Sequence, residues 1–331
     1  MKTHIKMLIV AASITAILIA GTVIYYAYFA KRRLVISTTT SLYDTGLLSY
    51  LEEKFESKYP IDLMFIPAGT GQALEIAKRG DASLILVHSP DLEKTFLEEE
   101  YGVSRKIFAY NFFVMVGPKS DPANVTEAPN ATEAFNRIAA YGENHQTQKI
   151  WVSRFDNSGT HNKEQSLWKA ANFDYTEISN RPWYYKACAG MGQTLLMAEE
   201  FSAYTLADTG TYLKYLKDRR ITLTSLINES KDLLNVYSAI AVNQTKCPHV
   251  NFEDAITFMK FLISSEGQQL IENYGKEEYG QSLFYGAVKL LTQDLQPVAS
   301  WIKNYAFLNH EGQLYECPPQ YIDNRHPELY K

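Results

Sequence analysis

Apolar positions along this chain recur in two alternating rhythms. Leu34 to Ser37 reads as a short strand, and Leu47, Leu48, Leu51, Phe55 and Tyr59 then share one helix face at 3.6-residue spacing. Ile61 to Pro67 is the next predicted strand, Gly71 to Lys78 a helix and Ser83 to His88 a third strand. That order predicts a parallel sheet with right-handed crossovers. Ligands of such sheets gather at the carboxyl ends of the strands, which here are Thr38 to Ser41, Gly69 to Gly71 and His88 to Asp91.

A second alternating unit follows: Lys149 to Ser153 as strand, His161 to Ala171 and Gly192 to Glu200 as helices, Ser202 to Leu206 as strand and Thr209 to Leu216 as helix. Strand-like Phe112 to Val116 and Val236 to Val242 lie before and after it, so the chain crosses between the units twice. The first unit is therefore discontinuous. Lys119 to Thr132, rich in Pro, Asn and Asp, predicts a surface loop. Beyond Ala287 the pattern is helical from Val288 toward Trp301, interrupted at Pro297, and Tyr315 to Lys331 has little periodicity. This tail is expected to wrap the first unit rather than to carry a partner site.

Met7 to Ala30 hold no charged residue and are flanked by Lys2 and Lys6 on one side and Lys31, Arg32 and Arg33 on the other. That length suits an uncleaved signal anchor, with Ala27 to Ala30 offering a cleavage site for the alternative, a signal peptide. No cysteine near the end of the span could take a lipid. The basic residues after it argue for a cytoplasmic body, but long domains translocate largely regardless of flanking charge, so the body is expected outside the membrane. Asn124, Asn130, Asn228 and Asn243 stand in glycosylation patterns.

A length of 331 residues accommodates two domains, and a net charge of -5 gives no footprint for nucleic acid or an anionic membrane surface. A small anion is still allowed, because a local cluster of donors can oppose the overall sign. Cys188, Cys247 and Cys317 have neither metal-site nor C-x-x-C spacing, and seven irregularly spaced histidines make no metal motif. Cys247 with Cys317 is the expected pair if one disulfide forms, leaving Cys188 over; buried free thiols are the alternative.

Chemistry concentrates in two clusters. Thr38, Thr39, Thr40 and Ser41 sit where a predicted strand hands over to a helix, a place whose unpaired N–H groups favour an anion. Arg154 to His161 repeats that setting and adds a fixed positive charge. Arg154 offers a planar fork to two oxygens, Ser158 and Thr160 can cap a helix while presenting backbone N–H groups, and Gly159 permits close approach. The plain alternative for Arg154 is a surface ion pair with Asp156 or Glu164. Asp208 fits a helix cap or a partner that orients Arg154, and His88 stands near the same cleft.

T-T-T-S-x-x-D-T-G-L-L from Thr38, G-T-G-Q-A-L from Gly69, L-V-H-S-P from Leu86 and R-x-D-N-S-G-T-H from Arg154 together resemble the Tup-type tungstate-binding proteins of ABC importers, over about Leu34 to Phe284. The resemblance implies an α/β, two-lobed type II periplasmic binding protein fold, each lobe a mainly parallel sheet flanked by helices and the two joined by hinge strands. It divides the chain into residues 1–33 as anchor or signal, 34–111 plus 243–286 as lobe one, 117–236 as lobe two and 287–331 as an extension. It also implies a monomer that captures tungstate or molybdate without a cofactor, by Thr39, Thr40, Ser41 and Thr70 from one lobe and Arg154, Ser158, Gly159 and Thr160 from the other, and passes it to a membrane permease. Hinge closure on the ligand is expected. The chain departs from the pattern at Phe155, where glycine is expected, and at Cys188-Ala189, which replace a more polar pair. A membrane-tethered oxyanion sensor and an enzyme acting on phosphate or sulfate esters are the alternatives; no G-x-S-x-G, phosphate-loop or H-E-x-x-H motif supports the latter.

Overall fold

Leu34 and Ile36 turn to one side of the first strand and Val35 to the other, and both sides meet apolar neighbours, as a strand covered on two faces requires. The computed structural model describes residues 31–330 together with Thr15. The expected anchor or signal segment thus lies outside the described residues save for Thr15, and among those described no helix is long and apolar enough to cross a membrane.

The first elements are β1 (Arg32–Thr39), α1 (Thr40–Asp44), α2 (Leu47–Glu56), β2 (Ile61–Ala68), α3 (Thr70–Lys78), β3 (Leu84–Val87) and α4 (Pro90–Glu98). β1 pairs in parallel with β2 on one side and β3 on the other. Helices cover both faces of this sheet: α2 buries Leu47, Leu48, Leu51 and Phe55 in the core that takes Leu34 and Ile36, while Ala73, Leu74 and Ala77 of α3 join Val87, Phe96 and Leu97 in the opposite one.

The sixteen-residue strand β4 (Gly102–Gly117) links the two lobes. After α5 (Ala131–Glu143) come β5 (Trp151–Ser153), α6 (Gly159–Ala170), α7 (Tyr175–Ile178), β6 (Tyr184–Lys186), α8 (Met191–Phe201), β7 (Thr205–Asp208), α9 (Thr209–Lys217) and β8 (Thr224–Ile227). β9 (Leu234–Val242) returns the chain to the first lobe, followed by α10 (Phe252–Ile263), α11 (Ser265–Asn273), α12 (Lys276–Tyr279) and β10 (Tyr285–Gly286). Residues 113–117 of β4 pair antiparallel with β7 and β8, whereas residues 102–112 pair antiparallel with β9. β9 also pairs with β3 over Ser238–Ala241, so most of the expected hinge segment Val236 to Val242 is a central strand of the first sheet. β5 and β6 form a separate parallel pair.

The expected surface loop Lys119 to Thr132 contains a short helical turn at Val125–Glu127, and Ala123 and Val125 are buried. The tail also differs from its expectation. The helix expected to run from Val288 until Pro297 stops short of it, as α13 (Val288–Thr292), and a second helix, α14 (Val298–Ala306), starts just after it. Ile302 and Ala306 of α14 pack in the same apolar cluster as Phe112, Phe113, Leu234 and Val236, and Lys163 of α6 lies over the Tyr305 ring at 4.6 Å. Further on, Lys106 Nζ meets Glu316 at 2.7 Å and Tyr330 OH donates to the Arg105 carbonyl at 2.8 Å. The tail therefore wraps the first lobe as expected but also touches the second. Cys247 and Cys317, the expected disulfide pair, are separate buried thiols: Cys247 Sγ donates to the Lys78 carbonyl at 3.5 Å and Cys317 Sγ to that of Pro318 at 3.8 Å.

Candidate functional site

Thr39 ends β1 in extended backbone and caps α1, its Oγ1 accepting from Leu42 N at 3.3 Å. The hydroxyls before it are spent inward, Ser37 on the Ala73 carbonyl and Thr38 on that of Leu86, because β-strand side chains at the centre of a sheet have no water to meet. Thr40 is half-buried, and Ser41 Oγ donates to Thr39 Oγ1 at 3.3 Å and lies 3.2 Å from His88 Nε2. Thr70 opens α3 after Gly69, only 2% exposed, and its Oγ1 has no partner.

In the second lobe Ser158 caps α6 by accepting from His161 N at 3.3 Å. Thr160 is 2% exposed, and its Oγ1 likewise has no partner. A buried hydroxyl without a hydrogen bond is costly, and one stands in the first turn of a helix in each lobe. Arg154 is buried, not a surface residue, and its Nε and Nη2 donate to Asp156 Oδ2 at 3.1 and 2.6 Å. Of the two ion-pair partners considered for Arg154, Asp156 is the one realised; Glu164 turns into the core. Asp208 is the cap of α9, accepting from Thr211 N at 2.8 Å, and burial raises its pKa while the charge of Arg154 works against that rise.

His88 brings the two clusters to one place. Besides Ser41, its ring lies so close to Gly159 that a Cβ there would come within 2.1 Å of Cε1, so only glycine fits. Burial first, then the charge of Arg154, pulls the His88 pKa down to about 4, which leaves a neutral imidazole between the lobes. The backbone is left-handed at both departures from the expected pattern, with φ of 47° at Phe155 and 50° at Cys188, a conformation that the glycine expected at position 155 would adopt without strain. Asn157 is left-handed as well, at 57°. Among the described residues no three His, Cys, Asp or Glu side chains are placed to share a metal ion.

With this arrangement in hand, similarity to known proteins decides the family. Residues 27–266 match the family model described as the PBP superfamily domain. A "Putative ABC transporter anion-binding protein" of Haloferax volcanii is 40% identical over 77% of this chain and 72% of its own length. The "Tungstate-binding protein TupA" of Peptoclostridium acidaminophilum is 39% identical over 77% of this chain and 86% of its own. This chain belongs to the Tup-type branch of the PBP superfamily. A solved tungstate-binding TupA structure from Desulfovibrio alaskensis G20 superposes with a TM-score of 0.68 at 36% identity, over 77% of this chain and 98% of the other. The superfamily match stops short of the Tup-type chain's tail, which begins after residue 286.

The geometry also shows residues that motif reading passed over. Ser153 and His161 hold the backbone on either side of Asp156: Phe155 N donates to Ser153 Oγ at 3.1 Å and Asn157 N to His161 Nδ1 at 2.9 Å. Of the two, only His161 stood within a quoted motif, and the spacing gave no sign of which atom it would hold.

Proposed function

We propose that this chain is the extracytoplasmic solute-binding component of an ABC importer and captures tungstate, or its near-isostere molybdate, between its lobes. One observation carries the reading: two buried, unpartnered hydroxyls, Thr70 and Thr160, stand in the first turns of helices of opposite lobes, and His88 joins Ser41 of the first lobe to Gly159 of the second. A tetrahedral dianion must exchange its water shell for donors, and Thr39, Thr40, Ser41, Thr70, Arg154, Ser158, Gly159 and Thr160 are the residues we assign to that exchange. One relative bears the name of an ABC transporter's anion-binding protein and another that of a tungstate-binding protein, which supports reading the chain as a binder and not as an enzyme, with a membrane permease as its partner; we take it to act as a monomer. We place the division between the lobes within β4 near residue 112 and at the start of β9, and take these two strands as the hinge.

Calorimetric titration of the full-length chain with tungstate, molybdate, sulfate and phosphate tests this. Tungstate or molybdate should bind tightest, with one ion per chain and no requirement for added metal. Phosphate binding more tightly than tungstate would overturn the assignment.

A further inference from the structure

Glu164 projects from α6 away from the cleft and is 2% exposed. Its Oε1 accepts from Trp151 Nε1 at 2.8 Å, Trp168 Nε1 at 3.2 Å and the Tyr184 hydroxyl; its Oε2 accepts from Ser153 Oγ at 2.7 Å. Burial raises the pKa of this carboxyl and the four donors oppose the rise. Indole N–H groups can only donate, so Oε1 is fixed as an acceptor in either charge state.

Two chains of hydrogen bonds run from this carboxyl to the loop that carries Arg154. The first is short: Ser153 Oγ donates to Glu164 and accepts from Phe155 N at 3.1 Å. The second passes through three rings. Asn157 N donates to His161 Nδ1 at 2.9 Å, which puts the proton of a neutral imidazole on Nε2. His161 Nε2 then donates to Tyr175 OH at 2.6 Å, Tyr175 to Tyr184 OH at 2.9 Å, and Tyr184 to Glu164. Both chains end on the amide of a left-handed residue, Phe155 and Asn157, and between those two sits Asp156, which grips Arg154. A backbone pose that a bulky residue resists persists only where its surroundings impose it. Here the two chains that impose it meet on one carboxyl.

We infer that Glu164 is the positioning residue of the anion loop: through Ser153 on one side and Tyr184, Tyr175 and His161 on the other, it fixes the backbone around Asp156 and so the direction of the Arg154 guanidinium. The assignment rests on the proposed capture of an oxyanion by Arg154. It also gives a basis for discrimination by size, because donors held by a buried network do not contract onto a smaller ion. Sulfate carries the same charge as tungstate on a smaller tetrahedron. Loosening the loop should therefore weaken tungstate more than sulfate.

The test is calorimetry of the full-length chain with tungstate and with sulfate, well below the melting temperature of each variant. Glu164→Gln keeps the volume and one acceptor but turns an amide N–H toward Ser153. It should lower tungstate affinity about tenfold or more, the loss expected for a broken hydrogen-bond network, and shrink the tungstate-to-sulfate ratio. Ser153→Ala with Tyr175→Phe cuts both chains while leaving Glu164 and its indole bonds in place, and serves if Glu164→Gln does not fold. Each single variant should lose part of what the pair loses. A purely structural role would lower the melting temperature and leave both affinities per folded molecule, and their ratio, unchanged; that result overturns the inference. If the wild-type chain binds no tungstate, the tungstate reading falls and this one with it, whereas wild-type binding with indifferent variants refutes this one alone.

Discussion

Replacing Arg154 by alanine is the perturbation that most directly probes the site. The guanidinium has five N–H donors, of which Asp156 takes two, at 3.1 and 2.6 Å, and no other acceptor among the described residues takes the rest. The residue is only 6% exposed, so its contact with an anion would be made largely without water. Losing a charge-assisted contact in such a setting costs about 2 to 5 kcal/mol, roughly 30- to 4000-fold in Kd. The upper end is expected, because alanine also leaves the Asp156 carboxylate in the loop without its counter-charge. Arg154→Ala combined with Asp156→Asn should recover part of the loss for the same reason. Arg154→Lys should recover little, since an ammonium lacks the planar fork that serves Asp156 and the anion together. Thr160→Ala, which removes one neutral hydroxyl, should cost about 0.5 to 1.5 kcal/mol. Calorimetric titration with tungstate gives the affinities and circular dichroism melts show that each variant is folded. An Arg154→Ala protein that melts much lower yet binds tungstate like wild type would make the arginine a structural partner of Asp156 and refute the reasoning.

Three further outcomes follow from other groups. Glu93 and Arg105 are both fully buried and paired at 2.7 Å, so Glu93→Ala strands a charge and should destabilise the fold by about 3 to 5 kcal/mol in urea unfolding; a loss below about 1 kcal/mol would show that the pair is dispensable. His88 is held neutral with its pKa down at about 4 against about 6.5 in an unfolded chain, so as pH falls the unfolded state takes up the proton first. Stability should then be lost progressively between about pH 6.5 and 4, by on the order of 3 kcal/mol from this residue, and His88→Gln should flatten that part of the melting-temperature profile; an equally steep profile in the variant would remove His88 as the cause. Thiol titration of the unreduced, denatured chain should count three free cysteines, and a count of one would restore the disulfide.

The first lobe was legible where burial makes a simple pattern. β3 is four residues, Leu84–Val87, all fully covered by helices on two faces, and a continuous apolar run bounded by polar residues announces such a strand. β4 was legible only at its end. Its Ser104, Arg105 and Lys106 are buried polar residues that interrupt any apolar pattern, and they are tolerated because Glu93 pairs with Arg105, Glu316 with Lys106, and Asp323 N donates to Ser104 Oγ. No local reading supplies those partners. The same holds for the hinge: Val236 to Val242 is visibly a strand, but its pairing between β3 and β4 is a fact of topology.

The site divides in the same way. Hydroxyls at strand-to-helix turns are a local signal, and Thr39, Ser158 and Asp208 do cap the helices that follow them. What the sequence left open is how the second cluster is charged. Arg154 and Asp156 are two residues apart and together nearly neutral, so an incoming dianion would find little net positive charge in the loop. A protein of net charge -5 offers no general attraction to make up the difference. Beyond the directed contact of Arg154, affinity must then come from neutral donors, the unpartnered hydroxyls of Thr70 and Thr160 and the N–H groups at the starts of α3 and α6, whose value depends on being held in place before the ligand arrives. Neutral donors measure shape more than charge. On that account sulfate is rejected for its size while phosphate, of comparable size, fares no better, and added salt should weaken tungstate binding far less than it would weaken binding to a site built from lysines and arginines.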